Sequence, residues 1–342
     1  MDKTIEKKFK TLASLVGNTP MIGIKYRYKG KDGIIYTKLE SYNFTGSSKD
    51  RIALYILKEA YKEGLLQPGK KIIEATSGNT GISISAMGRM LGHEVCIVMP
   101  DWMSVERKLI IQSYGAKIIS ISKEQGGFLG SIRLCEETAG KDSNVFLPCQ
   151  FSNPNNPKSH EITGVEIISQ LQRIGLRPQV FIAGVGTGGT VTGVGKTFRS
   201  KYNDVKIHPM EPEESPTLST GYKIGSHRIQ GISDEFIPEI IKRDNTLDDV
   251  VQVSDGDAIL MAQNLLATFG LGVGISSGAN LIGAIKLQEE YGKNVVTTTV
   301  FPDCNKKYLS TDLTKTEKIK DTYLTPHIEL LEFICITDSP VS

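Results

Sequence analysis

The chain has 342 residues, long for one core and comfortable for two domains. With 40 Lys and Arg against 38 Asp and Glu, its net charge of +2 gives no electrostatic case for a nucleic acid or a membrane surface as partner. The start, MDKTIEKKFKTL, lacks the apolar core of a secretory signal, and no apolar run is long enough to span a bilayer, so the expected location is the cytoplasm.

In chain order, the first chemical signal is ESYNFTGSSKDRI at 40–52. Thr45, Gly46, Ser47 and Ser48 form a small-residue turn that delivers Lys49 to the start of a helix predicted over 50–61. The positive end of a helix dipole favours the neutral amine, the state that makes a Schiff base. On these residues alone, a helix-start lysine beside a solvated Asp50–Arg51 pair reads equally well.

KKIIEA at 70–75 predicts a strand, and the spacing over 82–91 predicts a helix. Between them lies TSGNTG, Thr76–Gly81. Hydroxyls and N–H groups at a helix start form an anion site, suited to the carboxylate of a small amino acid. Asn79 adds an amide able to donate to a phenolate oxygen. A plain N-cap explains one of these small polar residues but not four. A strand over 94–99, a helix over 105–114 and a strand over 117–121 continue the alternation, which predicts an α/β fold with mostly parallel sheets.

QVFIA at 179–183 is the next strand, followed by Gly184-Val185-Gly186-Thr187-Gly188-Gly189-Thr190. Glycines let a backbone approach a phosphate, and the two threonines add hydroxyls. Gly184, Gly186 and Gly189 also satisfy G-x-G-x-x-G, so a dinucleotide site competes, with Glu211 after the strand at 206–210 as the ribose contact. The motif's place in mid-chain and its hydroxyls weigh against that rival. GISSG at 274–278 follows a helical stretch over 258–269 and offers the Ser276 hydroxyl to a ring nitrogen, although alone it is an ordinary turn. The five cysteines and five histidines show no metal-ligand spacing. After 314 the chain runs KTEKIKD and ends IELLEFICITDSPVS; a docking segment on a partner subunit and a poorly ordered tail both suit it.

In one register over about 11–313, the chain closely resembles the cysteine synthase family: the O-acetylserine sulfhydrylases and the related cystathionine β-synthases. The resemblance is carried by GNTP (17–20), SSKDR, TSGNTG, MSVERK, YGAKI, QFSNPNNPKSH (150–160), GTGGT, EPEESPTLS (211–219), QGISDEFIP (230–238) and GISSGAN. It displaces the dinucleotide reading. It implies a tryptophan-synthase β-like architecture (PLP fold type II): two open-sheet α/β domains with pyridoxal 5′-phosphate (PLP) in the cleft between them. A smaller mobile domain would span 43–150, a larger one 1–42 plus 151–313, and 314–342 would be a tail without an assigned role. Lys49 would carry the cofactor and move the proton. Asn79 would bond the ring oxygen, Gly186, Thr187, Gly188, Gly189 and Thr190 would cradle the phosphate, and Ser276 would face the pyridine nitrogen. Thr76, Ser77, Asn79, Thr80 and Gln150 would hold the substrate carboxylate.

The implied reaction is PLP-dependent β-replacement through an α-aminoacrylate. Cysteine synthase, which converts O-acetylserine and sulfide to cysteine and acetate, comes first. The alternative is a cysteine lyase that releases hydrogen sulfide and forms serine, lanthionine or cystathionine. Partners would be a small amino acid with sulfide or a thiol, and a second copy of the chain in a homodimer; a serine acetyltransferase is a further candidate. One departure bears on the choice. Where the synthases are small and apolar or glycine-rich after QGI, this chain has Ser233-Asp234-Glu235. Asp234 is a candidate base that would activate water or orient another nucleophile; an acidic turn capping the next helix is the plain alternative.

Overall fold

The computed structural model describes residues 1–232 and 235–336. Strands β1 (Met21–Tyr28) and β2 (Lys31–Leu39) form an antiparallel hairpin across Lys29 and Gly30. Both turn residues have positive φ, 51° and 71°, as a tight hairpin twisted like its strands requires. Then follow β3 (Lys71–Ala75), β4 (Val95–Pro100), β5 (Lys117–Ile121), β6 (Val145–Phe146), β7 (Val180–Gly184), β8 (Lys206–Pro212), β9 (Val251–Val253), β10 (Thr297–Phe301) and β11 (Ile328–Cys335). They build two open sheets, ordered β11-β1-β2-β10-β7-β8-β9 and β5-β4-β3-β6. The four-stranded sheet is parallel throughout, and the larger one is parallel from β2 to β9.

The parallel strands are apolar runs because helices cover both faces. Val180 and Ile182 of β7 pack under helices Asp255–Phe269 and Ile275–Tyr291, whereas Phe181 and Ala183 face helices Asn155–Arg173 and Gly189–Lys201. In the smaller sheet, Ile72 and Ile97 meet helices Lys49–Lys62 and Asn79–Leu91 on one side, and Ile73 and Val98 meet Cys135 of helix Gly127–Lys141 on the other. Each fully buried aliphatic side chain of this kind contributes about 1.5–3 kcal/mol. Among the described residues no helix is long and apolar enough to cross a membrane.

Part of the segment after 314 is a strand of the larger sheet. Its IELLEFIC adds β11 antiparallel to the edge of β1, with a register shift opposite Lys25 and Tyr26 that skips Leu331. Ile328 and Leu330 turn inward, while Glu329 and Glu332 face water and pair with Arg27 and Lys25. Charged side chains and a bulge are what blunt an edge strand.

Candidate active site

The functional side chains gather where strands end and helices begin. β3 ends at Ala75, and Thr76–Gly78 turn into helix Asn79–Leu91. β7 ends at Gly184, and Val185–Gly188 turn into helix Gly189–Lys201. Lys49 is the first residue of helix Lys49–Lys62, and Ser276 the second of helix Ile275–Tyr291. In open parallel sheets the crevice outside the carboxyl ends of strands is the ligand site. Here it is a cleft of about 550 Å³. It is lined by Lys49, by Thr76, Ser77, Asn79 and Thr80, by Gln150, by Gly186–Thr190 and by Ser276, so the structure brings together every candidate it describes. Asp234 lies outside the described residues.

Three glycines show why the turns have their composition. A Cβ on Gly189 would sit 1.8 Å from Asn156 Oδ1, and one on Gly186 would sit 2.4 Å from the Gly231 carbonyl oxygen. Gly78 has φ +149°, with Arg107 Cδ only 2.2 Å from where its Cβ would stand. Thr187 Oγ1 accepts from Asn156 Nδ2 (2.9 Å), and Thr190 Oγ1 lies 3.3 Å from His160 Nε2. Burial, reinforced by Lys49 and Arg51, pushes the His160 imidazole down to about 3, so the ring is neutral. Glu211, the ribose contact of the rival reading, is absent from the cleft lining; its carboxylate accepts from Leu218 N (2.6 Å) and Ser219.

Lys49 is partly open to the cleft and otherwise enclosed. Burial lowers its proton affinity and Lys307 lowers it further, against the pull of Asp303 and Glu40. Asp50 and Arg51 are not a solvated pair: both are buried. Asp50 takes Thr45 N (2.7 Å) and Thr45 Oγ1 (2.6 Å), and so ties down the turn that presents the lysine.

The family described as "Pyridoxal-phosphate dependent enzyme" matches residues 12–303. The chain belongs to that family. It is a cysteine synthase-type member. It is 38% identical over 302 residues to a probable cysteine synthase of Bacillus subtilis, covering 88% of this chain and 96% of the relative. It is 55% identical to a hydrogen sulfide-producing enzyme from Fusobacterium nucleatum, covering 96% and 99% of the two chains at a TM-score of 0.93. Another structure of a hydrogen sulfide-producing enzyme, an Asp-to-Asn mutant with the same coverage, is complexed with an α-aminoacrylate intermediate. A cysteine synthase from Entamoeba histolytica is 35% identical, covers 90% and 91%, and has a TM-score of 0.80.

The residues present fit pyridoxal phosphate. A half-buried lysine of lowered proton affinity, a glycine turn at a helix start and a neutral hydroxyl at Ser276 share one cleft. Asn79 Oδ1 and Asn156 Oδ1 are buried without hydrogen-bond partners among the described residues, the latter against Gly189 of the glycine turn. The Asn79 Nδ2 that the resemblance assigns to the ring oxygen here donates to Asp303 Oδ2 (2.7 Å), which also accepts from Tyr308 Oη.

At the opposite end, Thr80 Oγ1 donates to Gln150 Oε1 (2.6 Å) and Gln150 Nε2 donates to Ala75 O (2.6 Å). Behind this pair sits Glu74, which sequence reasoning missed although it is the one acidic residue of the run KIIEA. It accepts from Ala75 N (3.0 Å) and Gln150 N (3.3 Å). Arg107, also missed as a wall residue, donates to Ser77 O (3.3 Å) and to Gln230 Oε1 and stacks over Tyr308.

Burial raises the Glu74 carboxyl from 4.5 to about 8, against the backbone N–H groups that favour its anion. Across that window the folded chain holds more protons than the unfolded one, so Glu74's contribution to stability declines as pH rises toward 8. Glu74→Gln is expected to flatten the fall of the thermal midpoint over the same window; a slope equal to that of the parent would assign the decline to other groups.

Proposed function

We propose that this enzyme replaces the β-substituent of a small amino acid, with cysteine as the substrate that gives up sulfide. The reading is carried by the convergence of Lys49, the turn Thr76–Thr80 with Gln150, and the turn Gly186–Thr190 on one cleft. The direction is supported by 55% identity to a hydrogen sulfide-producing enzyme over nearly all of both chains. It is further supported by the acidic run Ser233-Asp234-Glu235. Cysteine and water give serine and hydrogen sulfide in balance; a second thiol amino acid gives a thioether instead. Cysteine synthesis from O-acetylserine and sulfide is the second reading, favoured by the 38% identical relative. One site serves both, because they differ only in leaving group and nucleophile.

The bound cofactor supplies an electron sink for the substrate's α-carbon. Lys49 takes the α-proton and returns one later, which its lowered proton affinity suits. Thr76, Ser77, Asn79, Thr80 and Gln150 orient the substrate carboxylate. Gly186, Thr187, Gly188, Gly189 and Thr190 hold the phosphate through backbone N–H groups and hydroxyls. Ser276 gives the pyridine nitrogen a neutral partner that does not enforce its protonation, which favours loss of the β-substituent over transamination. Closure of the smaller sheet's unit, residues 43–150, over the rest would keep stray water from the reacting carbon. Asp234 is the base for the incoming nucleophile. The proposal places the enzyme in the cytoplasm as a homodimer, which sedimentation velocity checks, and leaves serine acetyltransferase as the partner of the synthetic reading.

The test feeds the purified enzyme cysteine alone, then O-acetylserine with sulfide, and identifies the products. Cysteine alone is expected to release sulfide with serine or a thioether. Asp234→Asn is expected to slow that second half-reaction by about 10²–10⁴-fold, the usual worth of a positioned base. No sulfide from cysteine would reverse the direction. An unchanged rate and product ratio in the variant would make Asp234 structural.

A further inference from the structure

The chain beyond residue 303, where the family match ends, returns to the cleft before it becomes β11. Residues 312–325 run as a strap past helix Asp255–Phe269. Gln263 Nε2 donates to the carbonyls of Leu313 (2.9 Å) and Lys315 (2.8 Å). The Asp257 carboxylate accepts from Leu324 N (2.8 Å) and Thr325 N (2.9 Å). Gly256 lets the strap come close, since a Cβ there would lie 2.1 Å from Tyr323 Oη. The strap is therefore fastened at both ends to one helix.

Two of its carboxylates, one at its start and one between the fastenings, grip Arg228. Glu317 takes Nη1 at 2.6 Å and Nη2 at 3.0 Å, and Asp312 lies 3.4 Å from Nη1. Asp255 completes the ring, accepting Nη2 at 2.6 Å and the backbone N–H of Arg228 at 3.0 Å. A planar guanidinium held bidentate on one side and by a second carboxylate on the other has a fixed direction.

Arg228 opens the segment 228–232, which walls the cleft. Gln230 accepts from Arg107, toward Ser77. The Gly231 carbonyl oxygen lies against Gly186, and Ile232 Cδ1 lies 2.8 Å from where a Cβ of Gly184 would stand. The segment thus touches both the phosphate turn and the arginine beside the carboxylate turn.

We propose that the strap 312–325 belongs to the active site: Asp312 and Glu317 fix Arg228, and Arg228 sets the position of the wall 228–232 and with it which nucleophile the cleft admits. Arg228, Asp312 and Glu317 are positioning residues that act through Gln230, Gly231 and Ile232. The side chain of Arg228 is 37% exposed, so its ion pairs add little to global stability; their effect is on the placement of the wall. The inference rests on the β-replacement reading and names what selects the nucleophile within it.

The test is Glu317→Gln in the full chain, with Glu317→Asp as the conservative control. Hydrogen exchange is read at the amides of 228–232 in cofactor-free protein. Emission of Trp102, the chain's one tryptophan and a cleft-lining residue, is read alongside it. Exchange is expected to rise about 5- to 30-fold with melting nearly unchanged. In loaded enzyme, the ratio of serine to thioether formed from cysteine is expected to shift by a similar factor. KM for the incoming nucleophile should move more than kcat, and Glu317→Asp should restore part of both. Unchanged exchange would overturn the strap's hold on the wall. Faster exchange with an unchanged product ratio would overturn its role in selection. Arg228→Lys, which keeps the charge and loses the fork, decides the matter if Glu317→Gln does not fold. A parent enzyme that processes neither cysteine nor O-acetylserine would sink the functional reading, and the exchange result on cofactor-free protein would still decide the strap's hold.

Discussion

Lys49→Ala is expected to lower kcat by at least about 10²–10⁴-fold, the contribution of one positioned acid–base group. The true loss should exceed that span, because the same amine is the attachment point for the cofactor. Its setting lowers its proton affinity. Burial and the nearby Lys307 both disfavour the ammonium, while Asp303 and Glu40 keep the depression from running further. Borohydride treatment followed by mass spectrometry gives an independent readout. The parent should retain the cofactor covalently on the peptide containing Lys49, and the variant should not. A colourless parent that gains no mass would overturn the cofactor assignment at this lysine. Substantial turnover by the variant would remove Lys49 from the chemistry.

Arg51→Ala should be among the most destabilising single changes in the chain, by about 3–5 kcal/mol, because it strands buried carboxylates. Arg51 Nε and Nη2 donate to the two oxygens of Glu40 at 2.6 and 2.8 Å, and Nη1 donates to Glu166 at 2.8 Å. Lys38 meets Glu166 at 2.7 Å, so two cations balance two anions. The side chains of Arg51 and Glu40 are only 3% and 1% exposed. Burial alone would raise the Glu40 carboxyl, yet Arg51 and Lys38 hold it down to about 2. Thr19 and Asn43 complete its hydrogen bonds, and Gly17 N–H donates to Asn43, which gives GNTP a structural role behind the lysine helix. Urea unfolding of the cofactor-free protein checks the magnitude. A loss below about 1 kcal/mol would mean that water reaches the network and screens it, as at a surface pair.

The site was legible in the chain to the extent that its parts are local. Thr76–Gly81 and Gly186–Thr190 each combine a preceding apolar strand with small residues that a helix start demands, and those signals lie within a few positions of one another. Lys49 gained meaning only from that company, since a lysine at a helix start is unremarkable by itself. The edge strand β11 was harder to read. A bulge at Leu331 interrupts its alternation, a strand with one partner gains its stability from that partner, and β1 lies some three hundred residues earlier in the chain.

By itself, then, the sequence determined the parallel α/β architecture, the two small-residue turns at helix starts and the lysine at a third helix start, because strand period, helix capping and glycine's freedom at crowded turns are all short-range effects. Tertiary structure alone decided what stands behind those groups. Asn79 meets Asp303 across 224 residues, Gln150 meets Glu74 across 76, and Arg228 meets Glu317 across 89. Such pairs are set by the order of strands in the sheets and by which helix covers which face, and no local pattern carries that information.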